Sequence, residues 1–354
     1  RTSGEIYGVR PTVHDIARLA GVSLATVDRV LNDRPGVRPQ TAAKVRRAVE
    51  ESGFRRDRAA ANLAKQRDSR FYFLVPDSQT GFMDELAAAI AEAAIPAADD
   101  RICIEHHPVP AFDPGAIAHA IDMLDPRYCH GIALMAPGDP LVIAATTQAR
   151  ARGIKIVTLI ADLPVEARDH FVGIDHRAAG RTAGALMARF LPPSMNTEDD
   201  GLIIPLMATP DARDHTQRLA GFAAILAEAR PNLRLAEPLL GRDQAGDNKR
   251  LVTMALENTP DLAGLYSIGA GNRGVLAALQ TRVARTRPVV LAHELTPTSR
   301  QALHDGHFDA VINQNAGHHV RSAIRVLRAL LGDQDLVASQ EALRIEIFIQ
   351  ENLP

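Results

Sequence analysis

Three glycines, Gly269, Gly271 and Gly274, stand in a G-x-G-x-x-G spacing between an apolar run and a helical pattern. Glu294 lies 20 residues beyond the last of them, at the end of another apolar run. Taken locally, this is how a dinucleotide is held: glycines let a pyrophosphate approach a helix N-terminus, and an acid takes the ribose hydroxyls. That motif ordinarily opens its domain, and here it falls near the end of the chain. A ligand-facing turn that needs small residues accounts for the same glycines, so a nucleotide-dependent oxidoreductase is kept only as a rival. The histidine pairs His106-His107 and His318-His319 offer imidazoles. Adjacent residues point to opposite faces of a strand and about 100° apart on a helix, so one metal ion rarely takes both. His293-Glu294 and Asp214-His215 pair imidazole with carboxylate, but no serine or cysteine nucleophile motif stands beside them. Cys103 and Cys129 are too few for a disulfide framework or a zinc site, and are read as buried thiols in or beside apolar runs. No catalytic residue, metal or cofactor is expected.

The elements that must position these residues come in two kinds. Over the first 65 residues only helical periodicity and short turns are visible. Thr12 opens an apolar pattern (Val13, Ile16, Ala17, Ala20), with Asp15 three residues on as in a capping box. Gly21-Val22-Ser23 breaks the pattern, and Ser23 caps a second helix with Val27, Val30 and Leu31 on one face. A third helix is expected from about Gln40 to Ser52, with Ala43, Val45 and Val49 inward, and a short fourth from Asp57 to Lys65. Helix, glycine-containing turn, helix and supporting helix make a helix-turn-helix, whose second helix enters the major groove by its N-terminal residues Leu24, Ala25, Thr26 and Arg29. Arg29 reaches a guanine edge or a phosphate; Thr26 reaches a phosphate or a thymine methyl. A three-helix protein-interaction module has the same spacing. Charge favours DNA: residues 1–70 carry 15 Lys and Arg against 8 Asp and Glu, and the rest carries 25 against 34.

From Phe71 the pattern becomes apolar strands alternating with amphipathic helices: FYFLVP, RICIEHHPV, HGIALMA, KIVTLI, GLIIPLM, LAGLYSI, RPVVLAHE and DAVINQN, with helices such as MDELAAAIAEAAI and AIAHAIDML between them. Continuous apolar strands of this kind lie in parallel sheets covered on both faces. About ten such units are too many for one open sheet, so two similar subdomains are expected.

The string TVHDIARLAGVSLATVDRVLNDRPGV resembles the DNA-binding head of the lactose-repressor (LacI/GalR) family, and the alternating α/β body extends the resemblance over nearly the whole chain. The resemblance implies a fold of a small all-α helix-turn-helix domain plus a bilobed α/β sensor of two parallel-sheet, Rossmann-like subdomains, similar to type I periplasmic binding proteins. The divisions are a tail at 1–11, the helix-turn-helix at 12–56, a hinge at 57–70 and the sensor at 71–354. It also implies that Leu24 and Ala25 carry most of the base choice, and that Thr12, Ser23, Thr26, Arg29 and Asn32 hold backbone or bases. Ala60 to Ala64 resembles the hinge helix that enters the minor groove, so Ala60 and Leu63 are expected at DNA, Leu63 in the role of a wedge. Asp28, where the family has serine, and Arg56-Asp57, where it has Pro-Asn, depart from the pattern.

Such bodies bind ligand in the crevice at the C-terminal ends of their strands. Five segments land there: Asp77 to Phe82, with Gln79 and Thr80; Asp162; Asp211 to Arg218; Glu294; and Gln314. Arg218, Glu294 and Gln314 supply the paired polar groups that a sugar needs, and Phe82 an aromatic platform. By resemblance, the arginine of Arg218-Leu219-Ala220-Gly221-Phe222 contacts inducer hydroxyls. Gly269 to Gly274 replaces the Asn-Asp that the family offers to ligand, so Asn272 or Arg273 compensates. A surface salt bridge for Arg218 and a strand-end cap for Gln314 are the structural alternatives. With no run near 18 apolar residues and a start without an apolar signal core, the chain is expected to be cytoplasmic. The expectation is a homodimeric repressor on a pseudo-palindromic operator, switched by a sugar or sugar derivative. With the strand LRIEIFIQ so close to Pro354, no appended heptad helix for tetramers is expected. A solute-binding protein of a sugar transporter is the rival from another class.

Overall fold

The computed structural model describes residues 11–31, 35–54, 68–77, 81–192, 201–281, 287–332 and 334–354. The chain divides into two compact units, Arg1–Arg67 and Asp68–Pro354. The expected fourth helix and hinge helix lie outside the described residues.

In the first unit, α1 (Val13–Ala20), α2 (Leu24–Leu31) and α3 (Pro39–Ser52) enclose a small core of Ile16, Ala17, Val27, Val30, Val45 and Ala48. Helix α1 starts where Thr12 and Asp15 exchange side-chain and backbone hydrogen bonds, and it stops at Gly21, whose φ of 63° few other residues would adopt. The expected inward set on α3 is wrong by one position. Ala43 is exposed, and Ala48 packs inward three residues beyond Val45.

The second unit holds two lobes. The first runs β1 (Ser69–Asp77), α4 (Gly81–Asp99), β2 (Ile102–Pro110), α5 (Pro114–Asp122), β3 (Gly131–Leu134), α6 (Pro140–Ala151), β4 (Lys155–Leu159) and β5 (His170–Val172). Its five strands are parallel in the order β2-β1-β3-β4-β5. Helix α7 (His176–Phe190) then crosses to the second lobe and buries Ala179, Ala183 and Met187 against Phe222 and Tyr266. There follow β6 (Leu202–Met207), α8 (Arg213–Ala229), β7 (Arg234–Leu235), β8 (Leu239–Leu240), α9 (Ala245–Asn258) and β9 (Gly264–Ser267). After α10 (Asn272–Gln280) come β10 (Val289–His293), α11 (Pro297–His304) and β11 (Ala310–Asn313).

The chain crosses back at α12 (Ala316–Leu330), which buries Val320, Ala323 and Leu327 against Phe71, Leu86 and Val157 of the first lobe. After α13 (Ala338–Glu341) it returns as β12 (Glu346–Phe348). The second sheet runs β12-β11-β10-β9-β6-β7, with β8 also on β6. Strand β12 is antiparallel to β11, so this sheet departs from the all-parallel expectation at one edge, where an antiparallel strand is common. Among the described residues, no helix is long and apolar enough to cross a membrane.

Candidate functional site

The head presents a compact exposed edge at the start of α2. Ser23 accepts from the Thr26 backbone N–H at 3.2 Å, and the two hydroxyls lie 2.9 Å apart, so both residues are fixed at the start of α2. Leu24 and Ala25 project outward there, Leu24 with 43% of its surface exposed, and Arg29 is exposed one turn further on. With Val27 and Val30 in the core, the helix has no freedom to turn this face away. Thr12 is committed to its capping box: its hydroxyl donates to Asp15 Oδ2 at 2.8 Å. Those hydrogen bonds, with Arg18 close by, hold the Asp15 carboxyl below the usual range. Asn32, Ala60 and Leu63 lie outside the described residues.

A cleft between the lobes of the body encloses about 140 Å³ beyond the C-terminal ends of β1, β3 and β4 in one lobe and β6, β8, β9 and β10 in the other. Its two walls differ. The first-lobe wall is apolar (Met83, Phe112 and Met135 among others) and ends at Asp162, which is already held by Arg168 and the Thr158 hydroxyl. The second-lobe wall carries Asp211, Arg213, Asp214, His215, Arg242, Asp243 and Glu294.

Behind that wall stands Arg218, 1% exposed. Its Nε donates to His176 Nδ1 at 3.3 Å and its Nη1 to the Ile268 carbonyl at 2.8 Å, while Nη2 has no hydrogen-bond partner. His176 in turn bonds the Ile160 carbonyl of the first lobe through Nε2 at 2.5 Å, which fixes the tautomer with its proton on Nε2. Burial and the nearby guanidinium push the His176 pKa down to about 4, so the ring is neutral.

Arg218 is the cation of a carboxylate cluster. Burial alone would raise Asp214, but His215 and Arg218 hold it ionised below the usual value. Asp243 is pushed up by burial, although His215 opposes this, and it accepts from the Ala270 N–H at 2.9 Å. Glu294 is pushed up to about 7, first by burial; Arg218 and Gln314 oppose this, and Asp243 and Asp214 add to it. The Glu294 backbone sits at φ 72°, and such strained non-glycine conformations gather at functional sites. Gln314 is 2% exposed, and neither of its amide atoms has a well-formed hydrogen bond.

Of the effector residues expected from sequence, Asp162 and Glu294 line the cleft, while Arg218 and Gln314 form the layer behind it. Arg218 is no surface salt bridge. Asn272 does not reach the cleft: it accepts from the Ser267 hydroxyl and donates to the His293 carbonyl, both at 2.8 Å, and so ties β9 to β10. Phe82 is no platform; it is 2% exposed in the first-lobe core beside Leu86 and Phe73. Gln79 and Thr80 lie outside the described residues. Cys103 is exposed rather than buried.

The glycine motif has a packing explanation. A Cβ on Gly274 would lie 1.9 Å from the Ala245 carbonyl oxygen, and one on Gly269 2.4 Å from both the Asp243 carboxylate and the His215 ring. Gly274 lets α10 abut α9, Gly269 lies tight against Asp243 and His215, and neither leaves a gap for a pyrophosphate. Asp243 escaped the sequence reading because β8 is only two residues long, too short to show a strand period. Phe112 escaped because a lone aromatic on a loop carries no pattern.

The sequence pattern described as "Bacterial regulatory proteins, lacI family" matches residues 12–57, and that described as "Periplasmic binding protein domain" matches residues 71–335. The chain belongs to the periplasmic-binding-protein domain family over most of its length, and its head matches the lacI-family DNA-binding pattern. It is 40% identical over 83 residues to catabolite control protein A of Priestia megaterium, covering 23% of this chain and 25% of that protein. It is 49% identical over 55 residues to the sucrose operon repressor of Vibrio alginolyticus, covering 16% of this chain and 58% of that sequence. The chain thus spans about a quarter of the length of the catabolite control proteins it matches. Among solved structures, it resembles a solute-binding protein of an ABC transporter from Burkholderia graminis C4D1M in complex with D-arabinose. That match has a TM-score of 0.70 and 19% identity, covering 81% of this chain and 96% of that one, and it establishes the fold of the body.

Proposed function

We propose that this protein is a DNA-binding transcription regulator, a repressor, whose operator affinity is set by a small hydroxyl-rich effector held between the lobes of its body. The observation that carries this reading is the joining of a lacI-family helix-turn-helix and a periplasmic-binding-protein body in one chain. A body alone would serve equally well as a transporter's solute receptor; the head favours the regulator.

In this reading two copies place their α2 helices in successive major grooves of a pseudo-palindrome. Leu24 and Ala25 touch thymine methyls, Arg29 takes a guanine edge or a phosphate, and Ser23 and Thr26 hold backbone. Thr12 acts chiefly by fixing the start of α1, and Leu63, with Ala60, enters the minor groove. Asp214, Asp243 and Glu294 accept from effector hydroxyls, with Arg218 and Gln314 supporting them from behind. The natural counterpart of the D-arabinose of the structural relative is a sugar or sugar derivative here.

Fluorescence anisotropy with the DNA upstream of the protein's own reading frame, with and without each member of a sugar and polyol panel, tests this. Specific binding that falls steeply with salt and changes with one such compound is expected. Binding no tighter than to random DNA would overturn the regulator reading.

A further inference from the structure

Three carboxylates, Asp214, Asp243 and Glu294, meet on the second-lobe wall of the cleft. Asp214 and Glu294 are buried, and Asp243 is packed against Gly269 while accepting from the Ala270 N–H. Asp243 and Glu294 also hold left-handed backbones, at φ 57° and 72°, a strain that gathers at functional sites.

The positive charge that would balance them is short. Among the basic groups packed here only Arg218 is both buried and fully charged. It donates to two neutral acceptors, His176 Nδ1 and the Ile268 carbonyl, and to none of the carboxylates. His215 accepts from the Ala208 N–H at Nδ1, so its proton sits on Nε2, 3.7 Å from Asp214 Oδ2, and the ring brings a dipole rather than a charge. His176 and His293 are held neutral by burial. Arg168 is spent on Asp162, and Arg213 and Arg242 stand exposed at the mouth with Asp211, where water screens them. Ser78, Gln79 and Thr80, outside the described residues, carry no charge. Three carboxylates against one buried guanidinium leave an excess of negative charge. A proton takes up part of it, since burial, then Asp243 and Asp214, push Glu294 up to about 7.

A hydroxyl donates to a carboxylate but leaves its charge uncompensated, and a neutral ligand that displaced water from this wall would strand all three. An ammonium group supplies the charge together with three donors. Behind the wall, Arg218 Nη2 is a buried donor without an acceptor, which a hydroxyl oxygen supplies and an ammonium cannot.

We propose that the effector carries a cationic amine beside its hydroxyls, as in an amino sugar or an aminopolyol, with the ammonium seated among Asp214, Asp243 and Glu294. The inference rests on the reading of the cleft as an effector site.

Calorimetric titration of the full-length protein at about pH 7, where a primary amine is largely protonated, tests it. The probes are D-glucose, D-galactose, D-mannose, D-ribose, D-arabinose and sorbitol, each beside its amino-deoxy and N-acetylamino counterparts. For the skeleton that binds, the amino form is expected to bind about tenfold more tightly than the parent, the margin of a charge-assisted over a neutral hydrogen bond. The N-acetyl form, which keeps the nitrogen and loses the charge, should bind no better than the parent. Glu294→Gln should bring the amino-to-parent ratio down to about twofold or less, whereas Glu294→Asp keeps most of it. Cooperative thermal unfolding shows that both variants fold. A parent or N-acetyl form that binds as tightly as the amino form, or an unchanged ratio in Glu294→Gln, would overturn the ammonium seat while leaving the effector reading intact. Binding by none of the probes would remove the effector reading, and this inference with it.

Discussion

Replacing Glu294 by glutamine isolates the electrostatics of the cleft floor. The carboxyl is raised from its ordinary 4.5 to about 7, chiefly by burial beside Asp243 and Asp214, with Arg218 only partly offsetting them. A raised carboxyl favours its neutral form in the fold. Below the ordinary value the group is protonated whether the chain is folded or not, and nothing is lost. As pH rises from about 4.5 to about 7 the unfolded chain ionises first, and the folded state loses stability; above that window the loss is complete. Each pKa unit corresponds to about 1.4 kcal/mol, so the full loss is about 3 kcal/mol. Glu294→Gln keeps the size and removes the titration, so its stability relative to the parent should climb by about that amount across the window and then level off. The chain has no tryptophan, but Tyr72, Tyr128 and Tyr266 all lie in the body, so urea unfolding followed by tyrosine fluorescence reads the body directly. A stability difference independent of pH would show that folding leaves the Glu294 pKa unchanged and refute the reasoning.

Three further outcomes are expected. Arg29→Ala should weaken operator binding by about 1–3 kcal/mol, and anisotropy showing parent-like affinity at physiological salt would remove α2 from the groove. Gly274→Ala should destabilise the body by about 1–3 kcal/mol in urea unfolding, because the methyl meets the Ala245 carbonyl oxygen and α9 and α10 must part. Arg218→Ala should abolish the effector response in the anisotropy assay while sparing operator binding, because the head is a separate compact unit. It should also cost the body about 3 kcal/mol or more, since buried carboxylates lose their cation; response at an unchanged effector concentration would exclude Arg218 from the site.

Much of this was legible in the sequence, for identifiable reasons. The head could be read because one capping pair, one left-handed glycine and a 3.6-residue apolar period all act within a few residues of one another. The strand ends could be read because parallel strands are apolar throughout. Glu294 was therefore placed at the cleft from its position alone. What failed was whatever depends on rotation about a local axis or on a contact distant in sequence. Phe82 and Met83 are neighbours at the start of α4, and no pattern says which faces the core. Asn272 was read toward ligand because its loop faces the cleft, yet its amide is consumed by Ser267 and the His293 carbonyl. The glycine motif misled for the same reason: a close approach of two helices and a close approach of a phosphate require the same missing Cβ.

The link between cleft and lobes follows from where Arg218 sits. The chain first crosses between lobes just before His176, and that side chain reaches back to the Ile160 carbonyl at the end of β4. Arg218 donates to the other nitrogen of the same ring and, on its far side, to the Ile268 carbonyl beyond β9. One arginine and one histidine thus connect a strand end of each lobe. The remaining Arg218 nitrogen has no hydrogen-bond partner and the Gln314 amide meets Glu294 without a well-formed bond, and buried polar groups short of partners are costly. An effector whose hydroxyls relieve that cost, directly or by reordering Glu294, favours the arrangement in which both strand ends are held together over one in which they separate. Its differential affinity for the two arrangements is the most it can contribute to switching. On the proposed reading, the same buried groups that hold the effector set how far it can move the lobes.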